Sequence, residues 1–351
     1  MNFASDNAAG VAPAILEALA TVNAGHMLGY GNDAVTGRLA EQFNRLFERE
    51  VAAYLVPTGT ACNALALAHV SPPWGGVLCH HNAHIVTSEA GAPEFFGGGL
   101  KLIELEGEGG KITPEILQAK LEGAEWGGPH HITPSVLSLT QVTEAGTIYR
   151  VAEIERLARI AHDRKIAVHM DGARFANAVA SLNASPAEAS WKAGVDVLSF
   201  GATKGGAMAA EAVIFFDKAK AEGMGERRKR GGQLVSKHRF VAAQFEAFLA
   251  DDYWLKLARY ANGKAKRLGE KLAAAGCPPV WSVDGNLVFA VLSREAHARL
   301  TAAKAMYYAR PTTTVPKHIA VTPGAILARM VVSFATTDDE VDRFAAIVAG
   351  T

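Results

Sequence analysis

The sequence predicts an α/β protein: a mainly parallel sheet flanked by helices, followed by a smaller C-terminal α+β domain. Three observations carry this. Between about residues 51 and 216, apolar strand-like runs alternate with helix-period segments, the cadence of parallel strands joined by helical crossovers. From about residue 245 that cadence gives way to one long helix and two further strands. The 351 residues also exceed the roughly 250–300 that a single core usually supports. Two units are therefore expected, residues 1–244 with an N-terminal arm and residues 245–351, meeting at a cleft.

VAAYLVPTGT and ACNALALAHV read as a strand, a turn carrying Gly59 and Thr60, and a helix seated on that turn. TPEILQAKLEG is a helix with Thr113 as N-cap, Pro114 in its first turn and Gly123 past its end. PSVLSLTQV is a strand. VAEIERLARIAHDRK repeats apolar residues at 151, 154, 157, 158 and 161, one stripe of an amphipathic helix. IAVHMD is the next strand. SPAEASWKAG then supplies a capping box, Ser185 with Glu188, and a terminator, Gly194. VDVLSFGATK and AAEAVIFF complete the strands of the larger unit. YWLKLARYANGKAKRLGEKLAAAG is the long helix, NLVFAVLS and ARMVVSFA are strands, and TDDE (337–340) opens a final helix.

Composition narrows the function. Apolar residues make up 49% and charged residues 20%, an ordinary globular balance. Lys plus Arg and Asp plus Glu both number 35, so no overall field attracts nucleic acid or acidic lipid. No apolar run approaches the roughly 18–20 residues of a membrane span, and the first residues lack signal-peptide order, so a cytoplasmic location is expected. Cys62, Cys79 and Cys277 lack paired spacing and are read as reduced.

In a parallel sheet, chemistry gathers at the carboxyl ends of the strands. Lys204 follows one strand end and Asp171 closes another. A lysine in a partly desolvated cleft can offer a neutral amine to a carbonyl. A carboxylate such as Asp171 can keep a heterocyclic nitrogen protonated. Gly59 and Thr60, at a helix N-terminus, suit a phosphate. Each residue alone has a plainer reading: an exposed loop lysine, an N-cap for GARFANAVASL, a simple turn. Together they are the three fixed points that pyridoxal phosphate needs.

Six segments carry a resemblance: YGNDAVT (30–36), VPTGTACNAL (56–65), NAHIVTSEAGAPEFF (82–96), TQVTEAGTIY (140–149), HMDGARFANA (169–178) and SFGATKGG (199–206). The chain resembles the low-specificity L-threonine aldolase and phenylserine aldolase family, with PPWG (72–75) and GAPEFF pointing to the phenylserine branch. The resemblance implies pyridoxal phosphate fold type I, the aspartate aminotransferase type. It implies retro-aldol cleavage of L-3-hydroxy-α-amino acids to glycine and an aldehyde. Lys204 would bond to the cofactor, Asp171 would pair with its ring nitrogen and His84 would stack on the ring. Gly59, Thr60 and Thr203 would hold the phosphate, with Gln141 and Arg239 also at the cofactor. Arg174 would face the ring phenolate or the substrate carboxylate, which Ser5 and Arg329 would bind. Tyr30 and the 230–239 region would reach a neighbouring subunit's site in a homodimer or homotetramer. The sequence departs from the family at TQVTEAG, where Thr143 falls near a second histidine that many members carry. His84 is the first choice for accepting the β-hydroxyl proton. Residues 26–33 and 84–96 are expected to shape the side-chain pocket.

Three alternatives stay open. The same anchors serve other pyridoxal phosphate reactions, such as β-elimination or transamination. CHHNAH, with His80 and His84 four apart, could hold a metal if both shared a helical face. RRKR (227–230) could meet nucleic acid, although one short basic run in a neutral chain more often marks a solvated helix face. No hydrolase elbow, Walker loop or complete dinucleotide fingerprint is present.

Overall fold

The computed structural model describes residues 1–351. Its main sheet holds β1 (Ala52–Val56), β2 (Gly75–His80), β3 (Lys101–Leu105), β4 (Thr133–Thr140), β5 (Ala167–Gly172), β6 (Val197–Gly201) and β7 (Glu211–Phe215). The order is β1-β7-β6-β5-β4-β2-β3, and only β7 runs against the rest. The mainly parallel sheet expected from the sequence is present. β2, β5, β6 and β7 are buried along almost their whole length, as strands covered on both faces must be.

The helices before and between these strands are α1 (Pro13–Val22), α2 (Ala34–Leu46), α3 (Gly59–Val70), α4 (His84–Thr87), α5 (Ala92–Phe96), α6 (Pro114–Glu122), α7 (Val151–His162) and α8 (Phe175–Leu182). After β7 come α9 (Met224–Arg230), α10 (Arg239–Leu249) and α11 (Tyr253–Ala274). Thr113 caps α6 through the Ile116 N–H, with Pro114 in its first turn, as its sequence dictates. The Ser185–Glu188 box forms with both of its hydrogen bonds, but it opens a series of turns ending at Gly194 and no full α-helix.

The C-terminal part adds β8 (Leu287–Leu292), α12 (Arg294–Ala302), β9 (Tyr308–Arg310), β10 (Ile326–Val331) and α13 (Asp338–Ala349). The three strands form an antiparallel sheet, β8-β10-β9. Thr337 and Glu340 cap α13 reciprocally. Two main apolar cores divide within α11: Trp254 and Ala258 belong to the larger core, Ala265, Leu268 and Leu272 to the smaller. The N-terminal arm crosses to the smaller core, where Phe3 packs edge-on against Phe344 at 5.0 Å. This crossing carries residues 5 and 6 over the rim of the main sheet. No helix is long and apolar enough to cross a membrane.

Candidate active site

The carboxyl ends of the parallel strands and the amino end of β7 share one rim. In sheet order that rim presents Gly59 and Thr60 after β1, Glu211 at the start of β7 and Lys204 after β6. Asp171 near the end of β5, Glu144 after β4 and His84 after β2 continue it. All of them line one cavity of about 840 Å³, completed by Ser5 and Asp6 of the arm and by Tyr308, Arg310 and Arg329 of the C-terminal sheet.

At one end of the cavity, the Thr58 side chain accepts from the Ala61 N–H and its carbonyl from the Cys62 N–H. The N–H groups of Gly59 and Thr60 precede the helical ladder and stay available. A Cβ added at Gly59 would meet nothing within 4 Å, so the positive end of α3 faces open space that suits a phosphate. Thr203 lies alongside, its hydroxyl accepting from the Ala210 N–H at 3.2 Å. Half-buried Lys204 has no hydrogen-bond or ion-pair partner within the chain. Burial pushes the nearby Glu211 carboxyl up to about 7, against the opposing pull of Thr203 and Lys204.

Asp171 is buried and fixed on both oxygens. Oδ1 accepts from the Ala173 N–H and Oδ2 from Asn63 Nδ2, each at 3.0 Å. It closes its own turn and does not cap α8, whose N-cap is Arg174. Asn63 Nδ2 also donates to Glu89 Oε1 at 2.9 Å, and that oxygen lies 2.8 Å from His84 Nδ1. The Glu89 hydrogen bond raises the His84 imidazole, with burial opposing. Burial raises the Glu89 carboxyl as well. Asn63 Oδ1 and Glu89 Oε2 remain buried without partners. An unpaired amine, a fixed carboxylate, an aromatic base and a free helix N-terminus around one space fit pyridoxal phosphate at each of its polar ends.

Arg329 sits in the same wall with its Nε buried and unpartnered, and Nη1 donates only a long bond, 3.4 Å, to the Ala4 carbonyl. Burial and the neighbouring Arg174 bring this guanidinium down to about 10, the state of a cation short of an anion. Ser5 lines the wall too, its hydroxyl accepting from the Asn7 N–H. Arg174 is already engaged: Nε and Nη2 donate to Asp6 at 2.7 and 3.0 Å, both residues buried, and Asn286 adds a third bond to Asp6.

Several expected positions lie elsewhere. The Gln141 amide is turned away from the cavity, closing on both backbone groups of Tyr149. Tyr30 is half exposed, under the Lys229 ammonium at 4.7 Å, and Arg239 reaches the Gly25 carbonyl; neither lines the cavity of its own chain. Residues 26–33 do not reach it, and of 84–96 only His84, Ser88 and Glu89 do. The Thr143 hydroxyl is buried against the Gly109 carbonyl and Thr147. His80 ends β2 with both ring nitrogens bonded to backbone, so it shares no helical face with His84. Asn63, Glu89, Asp6 and Glu211 were not singled out from sequence. Glu89 had a signal, standing five residues after His84 in a quoted segment, whereas Asn63 meets its partners only through the order of strands.

A family model described as beta-eliminating lyase matches residues 2–295. The low-specificity L-threonine aldolase of Pseudomonas aeruginosa is 43% identical over 87% of this chain and 88% of its own length. Among solved structures, a threonine aldolase of Leishmania major is 27% identical, with a TM-score of 0.91 over 99% of this chain and 98% of that one. An aspartate aminotransferase of Thermotoga maritima is similar in fold alone, at 13% identity and a TM-score of 0.70 over 100% and 91%. The sheet order, the rim and the sequence thus point the same way, and the chain belongs to the low-specificity L-threonine aldolases of the beta-eliminating lyase family, on pyridoxal phosphate fold type I.

Proposed function

We propose that the chain is a pyridoxal phosphate-dependent aldehyde-lyase that cleaves L-3-hydroxy-α-amino acids, among them threonine, allo-threonine and phenylserine, to glycine and an aldehyde. The observation carrying this is that Lys204, Asp171, His84 and the α3 N-terminus line one cavity together with Arg329. When bound, pyridoxal phosphate supplies an aldehyde for amine exchange and a ring that accepts the electron pair released at Cα. Lys204 anchors it. Asp171 keeps a proton on its ring nitrogen, and the N–H groups of Gly59 and Thr60, with Thr203, receive its phosphate. The His84 ring flanks it, held in one orientation by Glu89. Arg329 and Ser5 hold the substrate carboxylate, which decides which bond at Cα is aligned to break. Asp6 holds Arg174 through Nε and Nη2, which leaves Nη1 without a hydrogen bond.

The same reading includes a homodimer or homotetramer in the cytoplasm, with Tyr30 and Arg239 serving a neighbour's site. Exposed Met27, Leu28 and Tyr30, and the unpartnered Nε of Arg239, support that surface as the contact. Residues 1–244 would form the cofactor-binding unit and 245–351 the unit that brings Arg329 over it. Steady-state assay of L-threonine, L-allo-threonine and both phenylserine diastereomers tests the reaction. Glycine with acetaldehyde or benzaldehyde supports it, whereas pyruvate or another keto acid as the main product favours elimination or transamination.

A further inference from the structure

A second cavity of about 1020 Å³ adjoins the first on the side of the C-terminal sheet. The two share only three residues, Ser88, Glu144 and Arg310, which form a neck between them. Arg329 and Lys204 lie on the inner side. Trp281, Phe289 and Leu327 lie on the outer side, with the two aromatic rings edge to face at 5.1 Å. A substrate whose α-carbon stands near Lys204, and whose side chain points outward, directs that side chain toward the neck.

Five carboxylates line the inner cavity; three hold fixed partners and a fourth, Glu211, is buried. Asp6 holds Arg174, Asp171 holds Asn63 and the Ala173 N–H, Glu89 holds His84 and Asn63, and Glu211 is buried beside Thr203. Glu144 has no hydrogen bond or ion pair, and it is the one carboxylate of the five that also lines the outer cavity. Its charge acts on His84, Arg174 and Arg329, the groups surrounding the substrate position. Glu89 occupies Nδ1 of His84 and raises its imidazole, so at a given pH more of the His84 population already carries both ring protons and less of it is free to accept another.

We propose that Glu144 is a catalytic residue of the cleavage, the acceptor of the β-hydroxyl proton. The inference rests on the aldolase reading above and puts Glu144 in the place that the sequence assigned first to His84. The β-hydroxyl O–H bond breaks and its proton passes to the Glu144 carboxylate, directly or through one water. The O–H electron pair becomes the second C–O bond of the aldehyde, the Cα–Cβ bond breaks with its pair left on Cα, and a proton taken up at Cα completes glycine.

Glu144→Gln tests this, since no hydrogen bond of the fold depends on Glu144. Expected are an unchanged cofactor absorption spectrum and pyridoxal phosphate affinity, and a kcat for phenylserine lowered about 100-fold or more, the usual contribution of a positioned base. Exchange of the glycine Cα hydrogen in D2O, which involves no hydroxyl, should stay within about twofold. Formate should restore part of the cleavage lost in Glu144→Ala. Cleavage unchanged in Glu144→Gln overturns the role of Glu144 alone, as does a parallel fall in exchange or in cofactor affinity. A wild-type protein that binds the cofactor yet releases no aldehyde overturns the aldolase reading as well.

Discussion

A carboxylate oxygen of Glu89 lies 2.8 Å from Nδ1 of His84. The contact fixes which ring nitrogen carries the proton and leaves Nε2 of this cavity-lining ring without a hydrogen bond. Both groups bind protons more tightly than in a free chain, His84 because of Glu89 and Glu89 because of burial. The His84 contribution to stability is therefore fully present below the ordinary imidazole value of about 6.5 and is lost as pH rises through its raised value, whereas the Glu89 contribution is full below about 4.3 and is lost as pH rises through the raised carboxyl value. In Glu89→Gln the His84 imidazole should titrate at lower pH, followed by NMR, and this part of the pH dependence should disappear. An unmoved His84 titration would contradict the pairing.

Asp6 and Arg174 predict a different response. Burial alone would raise the Asp6 carboxyl, but Arg174, with help from Lys204 and Asn286, brings it below the usual carboxylate range. That stability is present above the unfolded value of about 3.9 and is lost as pH falls through the lower folded value. Asp6→Asn leaves the Arg174 guanidinium buried without its counter-charge and should cost about 3–5 kcal/mol in urea unfolding. A loss near zero would mean that Arg174 finds another anion.

Beneath the rim, His169 is fully buried between Ser138 (2.9 Å) and Ser199 (3.0 Å). Burial lowers it from 6.5 to about 4, so the folded protein keeps it neutral where the unfolded chain would protonate it. Stability from this group is intact above pH 6.5 and falls by roughly 3 kcal/mol as pH drops toward 4. His169→Gln should flatten the acid side of the urea stability profile by about that amount. His238, also lowered to about 4 by burial and Arg228, is present in both proteins and cancels. An equally steep profile in the variant would rule out His169 as the source.

The strand-helix cadence revealed the main sheet because buried parallel strands and capped helices leave local signals, as Thr113, Pro114 and Gly123 do around α6. β2 leaves a weaker local signal, because GGVLCH is short, opens on two glycines and runs straight into CHHNAH, which fits a strand end and loop as well as a ligand set. Lys204, Asp171, His84, Gly59, Thr60, Thr203, Arg174, Ser5 and Arg329 meet at one cavity because each follows or ends a strand, or lies on a segment crossing the rim. Gln141 shows the limit: its position after β4 is legible, but the direction of its side chain is set by a hydrogen-bond pair with Tyr149 that no local pattern encodes. Glu144 and Thr143 show it again, since one residue of difference decides which of two neighbours faces the cavity.

The central claim is that the Lys204 amine holds the cofactor that does the chemistry. Purified protein titrated with pyridoxal phosphate, then mixed with L-phenylserine while visible absorption and benzaldehyde are followed together, tests it most directly when run beside Lys204→Ala. Expected are a bound-cofactor band and aldehyde release in the wild type, and loss of both the covalent band and turnover in the variant. Undiminished aldehyde release from Lys204→Ala would contradict it.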